Sequence, residues 1–239
     1  MGSEGGIPNV IETPSGRILS TLNWLRAGVL GANDGIVSTA AIIFGVAGAA
    51  ASHATIMLAA IAAIAAGALS MAVGEYVSVA TQRDLERAEL ARQRADLERD
   101  PERELLVLAK LFEQRGVTPD IAIEVARQMS AKDALSVHAR AELGIDPSSI
   151  ANPLAAGFAS LLAFVVGGLI PTAPILLAPQ ETAIWIAGAA VIFSLALTGA
   201  VAARLGRIPM VPAIVRTVLG GLLATAITYG VGMIAGAQI

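Results

Sequence analysis

The sequence predicts an all-α integral membrane protein: five transmembrane helices, with a cytoplasmic helical insert between the second and the third. Three observations carry this. The first is the placement of charge. Of 239 residues, 55% are hydrophobic and 15% charged, against about 25% charged in an average soluble domain. The charges are also clustered: 11 basic and 14 acidic residues lie between Arg83 and Asp146, and the other 175 positions share ten. The second is a set of uncharged apolar runs, each long enough to cross a bilayer. The third is that every basic residue falls on one side of the resulting topology.

The spans follow in order. Gly35 to Gly74 is 40 residues without a formal charge, enough for two crossings at about 20 residues each. Ser52-His53 marks the turn between them. The first span starts near Trp24, with Arg26 snorkelling to the interface, and the second runs from about Ala54 to Thr81. The third covers about Asn152 to Leu177, its end marked by Pro171, Pro174 and Pro179. The fourth is Thr182 to Ala203, and the fifth is Thr217 to Ile239, entered through Pro209, Pro212 and Arg216. The chain then divides into an N-terminal segment (1–22), helices 1 and 2 (23–82), the insert (83–146) and helices 3 to 5 (147–239). The first apolar run leads into another span and not into a cleavage pattern, so no signal peptide is expected.

An odd number of spans puts the termini on opposite sides. With the N-terminus inside, all 16 basic residues are cytoplasmic, while His53, Glu181 and the uncharged C-terminus are outside. That is the positive-inside arrangement, and Trp24 and Trp185 sit where interface aromatics belong. Small residues repeat every four positions at Ala27, Gly31 and Gly35 and again at Gly232 and Gly236. Such faces let helices approach closely in lipid, and the first is also a candidate dimer seam.

Composition excludes several functions. There is no cysteine, hence no disulfide scaffold and no thiolate metal or redox site. A formal net charge of −3 leaves no basic excess for nucleic acid. With two histidines in all, and no Ser/His pair or phosphate-cradling glycine loop, an enzyme is not expected, nor is a prosthetic group.

The insert reads as amphipathic helices. Arg83 to Arg99 continues the second span without a breaker. Glu102 to Arg115 carries Leu105, Leu108, Leu111 and Phe112 on one face and stops at Gly116. Thr118-Pro119-Asp120 is a helix start leading through Met129, and Ala134 to Leu143 ends at Gly144. The 14 acids have two readings: a solvated face neutralised by Arg87, Arg92, Arg94, Arg99 and Arg103, or a carboxylate cluster that gathers a divalent cation.

Two further carboxylates, Asp34 and Glu75, lie within the spans. Each costs roughly 2.5–3.5 kcal/mol at a helix centre, so such residues are candidates for an ion or proton path. Each is eight residues from a cytoplasmic charge, Arg26 or Arg83, which predicts a matched depth of about 12 Å. Met71 precedes Glu75 by one turn on the same face, and Asn33 adds an amide beside Asp34. Carboxylate, amide and thioether donors suit a divalent first-row metal such as Fe²⁺ or Mn²⁺. The plainer reading has Asp34 neutral and hydrogen-bonded, and Met71 facing lipid.

Four segments taken together resemble the vacuolar iron transporter family, in its bacterial and nodulin-like form. They are Leu25 to Ser38 (LRAGVLGANDGIVS), Ala68 to Ser78 (ALSMAVGEYVS) with Gln82-Arg83-Asp84, His138 to Gly144 (HARAELG), and Gly167 to Pro171 (GGLIP). The resemblance covers about residues 20 to 236. It implies five transmembrane helices, a cytoplasmic helical metal-binding domain, and a homodimer with the path between subunits. It also implies movement of Fe²⁺, often Mn²⁺ too, out of the cytosol in exchange for protons. By the same resemblance Asp34 matches a path aspartate, Met71 a path methionine, and Glu104 and Glu142 metal-domain glutamates. This sequence departs at Ala62 to Ala66, where some members carry an acid, and Glu75 is expected to take over part of that role. In the insert, Gln93 and Val107 replace carboxylates and His138 replaces a methionine, while Asp96 keeps an acid. The insert site is therefore expected to draw on Glu86, Glu89, Asp96, Glu104, His138 and Glu142.

The expected protein is a homodimeric exporter of Fe²⁺ or Mn²⁺ with a path through Asp34, Glu75, Met71 and Asn33, in a bacterial cytoplasmic membrane. Its partners are divalent ions, protons and the bilayer. The competing reading is a membrane-bound metal sensor or store that binds without transporting.

Overall fold

The computed structural model describes the backbone from Ser15 to Gln238 and the side chains from Gly28 onward. Residues 1–14, and the side chains of Arg17, Trp24, Arg26 and Ala27, lie outside the described residues. Within them there are helices and no strands: α1 (Ser15–Gly48), α2 (His53–Arg99), α3 (Pro101–Gln114), α4 (Pro119–His138) with a π-helical turn (Ala139–Leu143), α5 (Pro153–Leu177), α6 (Gln180–Gly206) and α7 (Met210–Gly236). Five helical segments are long and apolar enough to span a bilayer: Gly28–Gly48, α2, α5, α6 and α7. The chain forms two compact units, one from residues 1–75 and 155–239, the other from residues 76–154.

The first unit is built around α1. Ile36 and Ala40 pack with Val191 and Leu195 of α6. Ile43 joins Ala60 of α2, Ile175 of α5 and Ala183 and Ala187 of α6. Glycine sets how closely the helices approach. A Cβ on Gly35 would strike the Phe164 carbonyl, and one on Gly167 the Ala32 carbonyl, so α1 and α5 touch backbone to backbone. Gly31 would carry its Cβ 2.9 Å from that of Ala163. The Gly31 and Gly35 face is thus covered by α5 of the same chain, which takes away the dimer seam expected there. Gly232 fits against the Gly45 carbonyl in the same way, joining α7 to α1.

Two boundaries differ from the sequence expectation. Pro171 and Pro174 do not end the third span but lie inside α5. Carrying α5 on to Leu177 buries Ile175 in the core, and neighbouring helices and Thr side chains make Pro tolerable within a membrane helix. Thr172 Oγ1 donates to the Gly168 carbonyl (2.8 Å) at this point. The fifth span begins at Met210, not Thr217. Pro212 falls in its first turn, where a missing N–H breaks no helical bond, and Arg216 lies within the helix.

The second unit carries the insert. Asp100 caps α3 by accepting from the Arg103 N–H (3.0 Å), with Pro101 in the first turn. Gly116, at φ 97°, turns the chain out of α3. Leu108 and Ala109 of α3 then meet Ala122 and Ala126 of α4, supported by Leu105, Phe112 and Val137. Asp133 leaves helical geometry (φ −163°, ψ 87°). Its carboxylate accepts from the Ser136 N–H (3.1 Å) and Oγ (2.6 Å). The final helix expected from Ala134 therefore starts at a capped kink, and Gly144 closes it at φ 67°.

Candidate functional site

In the first unit, α1 and α2 leave a hollow of about 290 Å³. Its wall is made of small residues: Ala63, Ala66 and Gly67 recur on one face of α2, and Phe164 of α5 lies against Gly67. Four polar or polarisable side chains line it: Asp34 and Ser38 from α1, Ser70 and Met71 from α2. Asp34 and Ser38 stand one turn apart, and Ser38 Oγ donates to Asp34 Oδ1 at 2.9 Å. Asp34 is exposed at the surface of the chain, so its carboxylate keeps lone pairs free for a proton or a cation. A carboxylate, two hydroxyls and a thioether make a mixed donor set for a first-row divalent ion.

The other two path candidates stand elsewhere. Asn33 follows the helix round to α6, where its Oδ1 accepts from Thr198 Oγ1 (3.5 Å), and it does not line the hollow. Consecutive helical residues point about 100° apart, so Asn33 and Asp34 face different neighbours. Glu75 is also absent from the lining. α1 and α2 are antiparallel: Met71 Cε would lie 3.7 Å from a Cβ on Gly31, and Ile43 shares a core cluster with Ala60. That register sets Asp34 opposite residues near 68, and Glu75 roughly 10 Å further along the axis. The matched depth expected for the two acids does not occur, because the helices are staggered relative to their flanking charges. Glu75 is half-buried.

In the second unit, three expected ligands converge. The ligand atoms of Glu104, His138 and Glu142 lie within 4.8 Å of one another. Glu104 and His138 are buried, 8% and 0% exposed. His138 Nδ1 and Glu142 Oε1 are 2.5 Å apart, and His138 Nε2 is buried without a hydrogen-bond partner. Local structure places them: α3 starts at its Asp100 cap and presents Glu104 in its first turn, while the kink at Asp133 re-aims α4 before His138. Buried Gln93 of α2 completes the group, its Nε2 donating to Glu104 Oε2 (3.2 Å) and lying 3.4 Å from His138 Nδ1.

The remaining insert candidates stay out of this cluster. Glu86 accepts from Gln82 (2.9 Å). Glu89 pairs with Arg92 (2.8 Å) and Asp96 with Arg99 (2.6 Å). For Glu89 and Asp96 the solvated, arginine-neutralised reading describes the geometry, while Glu86 is held by the Gln82 amide. They share the Gln93 face of α2 but are held by neighbours within one turn. Other insert acids are structural. Asp146 is held down at about 2, first by the Ser148 hydroxyl and then by the Arg140 guanidinium. Asp133 is lowered chiefly by the Ser136 hydroxyl.

Four residues of these sites, Ser38, Ser70, Gln93 and Phe164, were not among the expected ligands. Ser38 could have been found, since it stands four residues after Asp34. Gln93 showed only as a missing carboxylate. Phe164 has no sequence signal, because nothing in one dimension links it to Gly67.

Comparison with known proteins agrees over nearly the whole chain. The sequence pattern of the VIT family matches residues 25–233. The chain is 49% identical over 220 residues to a vacuolar iron transporter of Acanthamoeba castellanii, covering 90% of this chain and 80% of that one. It is 32% identical over 216 residues to vacuolar iron transporter homolog 4 of Arabidopsis thaliana, covering 90% and 85%. With VIT-like transporter 1b of Glycine max it shares 31% over 221 residues, covering 92% and 80%. A family pattern that spans the five candidate membrane helices and the insert alike leads to one conclusion: the chain belongs to the VIT family.

Proposed function

We propose that this protein moves divalent metal, Fe²⁺ or Mn²⁺, out of the cytosol in exchange for protons. The observation that carries the reading is the Asp34 hollow: a carboxylate, two hydroxyls and a thioether gathered within a membrane-spanning unit. A charge there is costly in lipid and is retained where ions or protons pass. A carboxylate binds either a proton or a metal, so protonation releases the metal and metal entry releases the proton. Asp34 and Met71 hold the ion in transit, and Glu75, toward the cytoplasmic end, is a waiting position for ion or proton. The insert gathers metal from the cytosol through Glu104, His138 and Glu142. A homodimer suits the hollow, because the exposed Asp34 would otherwise face lipid. The positive-inside rule places the N-terminus and insert in the cytoplasm and the C-terminus outside. A bacterial cytoplasmic membrane is the location we favour.

The test is flux. Purified protein in liposomes with an imposed pH gradient should carry Fe²⁺ and Mn²⁺, and Asp34→Ala should abolish that flux while leaving expression and dimerisation intact. Undiminished flux would remove Asp34 from the path. One observation favours a second reading, a metal sensor or store: the Glu104–His138–Glu142 cluster is built entirely within the second unit. Metal binding without flux would select it.

A further inference from the structure

We infer that Gln93 is the fourth ligand of the insert site and sets which ions it takes, an assignment that rests on reading Glu104, His138 and Glu142 as metal ligands. Gln93 is 7% exposed, too buried for a solvated surface residue. Its side-chain terminus meets both Glu104 Oε2 (3.2 Å) and His138 Nδ1 (3.4 Å). Without metal, the amide presents its NH₂ to the Glu104 carboxylate, while His138 Nδ1 is taken up by Glu142 Oε1. The amide satisfies Glu104 and occupies the place where a cation would be attracted. When a cation enters, an NH₂ dipole in that position is repelled and an oxygen is attracted. Turning the amide over exchanges nitrogen and oxygen at nearly the same place. Gln93 Oε1 then joins Glu104, His138 and Glu142 as a set of three oxygens and one nitrogen.

Charge makes the amide selective. Two carboxylates carry −2, which one divalent ion neutralises. A third carboxylate at position 93 would crowd like charges in a buried site and raise the cost of the empty state. A neutral amide with an imidazole favours borderline first-row ions. Calcium, which takes six to eight oxygens and relies on carboxylates, is disfavoured. His138 is fully buried, with its Nδ1 in the cluster and its Nε2 without a hydrogen-bond partner.

The experiment uses the full-length protein carrying Asp34→Ala, so that the membrane hollow does not contribute, and titrates it with Co²⁺ and Ca²⁺. The parent should bind one Co²⁺ per chain at the insert, with a visible d–d spectrum. Gln93→Leu should weaken Co²⁺ at least tenfold and shift that spectrum. Gln93→Glu should keep Co²⁺ affinity within about threefold and strengthen Ca²⁺ tenfold or more. Glu104→Ala separates the two levels of argument. If it abolishes Co²⁺ binding while Gln93→Leu leaves affinity and spectrum unchanged, the role of Gln93 is overturned and the site stands. If Glu104→Ala itself binds Co²⁺ as the parent does, the site reading fails and this assignment with it. Should Gln93→Leu not fold, Gln93→Glu still decides, since unaltered Ca²⁺ affinity there overturns the proposal.

Discussion

Ser38 Oγ donates a 2.9 Å hydrogen bond to Asp34 Oδ1, one helical turn away on α1 and inside the same hollow. The bond fixes the rotamer of the carboxylate and leaves its other oxygen free. A hydrogen bond to a charged group is worth about 1.5–3 kcal/mol, tenfold or more in an equilibrium. Ser38→Ala should therefore slow metal flux by about tenfold without stopping it, and Ser38→Thr should restore most of the rate. Flux in liposomes checks this; equal rates for Ser38→Ala and the parent would leave the bond without a part in transport.

Glycine contacts predict a sharp contrast in stability. Gly35→Ala places a methyl against the Phe164 carbonyl, backbone that cannot move aside easily. Overpacking of this kind costs about 1–3 kcal/mol, so thermal unfolding in detergent should shift down by several degrees. Gly220→Ala meets nothing within 4 Å and should be neutral or slightly stabilising, because alanine is the better helix former.

The kink before His138 ties the stability of the insert to its ligand geometry. Asp133→Ala removes two bonds to Ser136 and should lower the thermal stability of the insert, as the loss of a helix cap does. Because His138 lies one to two turns beyond, metal affinity of the insert should fall with it, read by Co²⁺ titration. Asp133→Asn, which keeps an acceptor, should lose less.

Asp146 gives a pH prediction of definite sign. Its folded value, about 2, lies below the ordinary carboxylate value of about 3.9. Bonds to Ser148 and Arg140 thus stabilise the insert at every pH above about 4. That contribution fades as pH falls through the window from about 4 to 2. Asp146→Asn should flatten the acid limb of the stability profile in that window, and carboxyl NMR should place the midpoint near 2.

Much of this molecule is visible in one dimension, and the reason is physical. Hydropathy and charge act residue by residue, so the membrane helices could be counted directly. Caps are local too: Gly116 and Gly144 end the helices they close, and Thr118-Pro119-Asp120 opens one. Asp34 could be named because a carboxylate is unusual within a membrane span, and Met71, Glu104, His138 and Glu142 through the family resemblance. Packing decided the rest. The stagger of α1 against α2 moved Glu75 away from the level of Asp34. Helical phase turned Asn33 to Thr198, and α5 occupied the glycine face that a second chain was expected to use. Within the insert, short-range arginine pairs claimed Glu89 and Asp96, while Gln93, 45 positions from His138, came to sit against it. Contacts at such separation depend on how helix faces mesh, which no local pattern along the chain encodes.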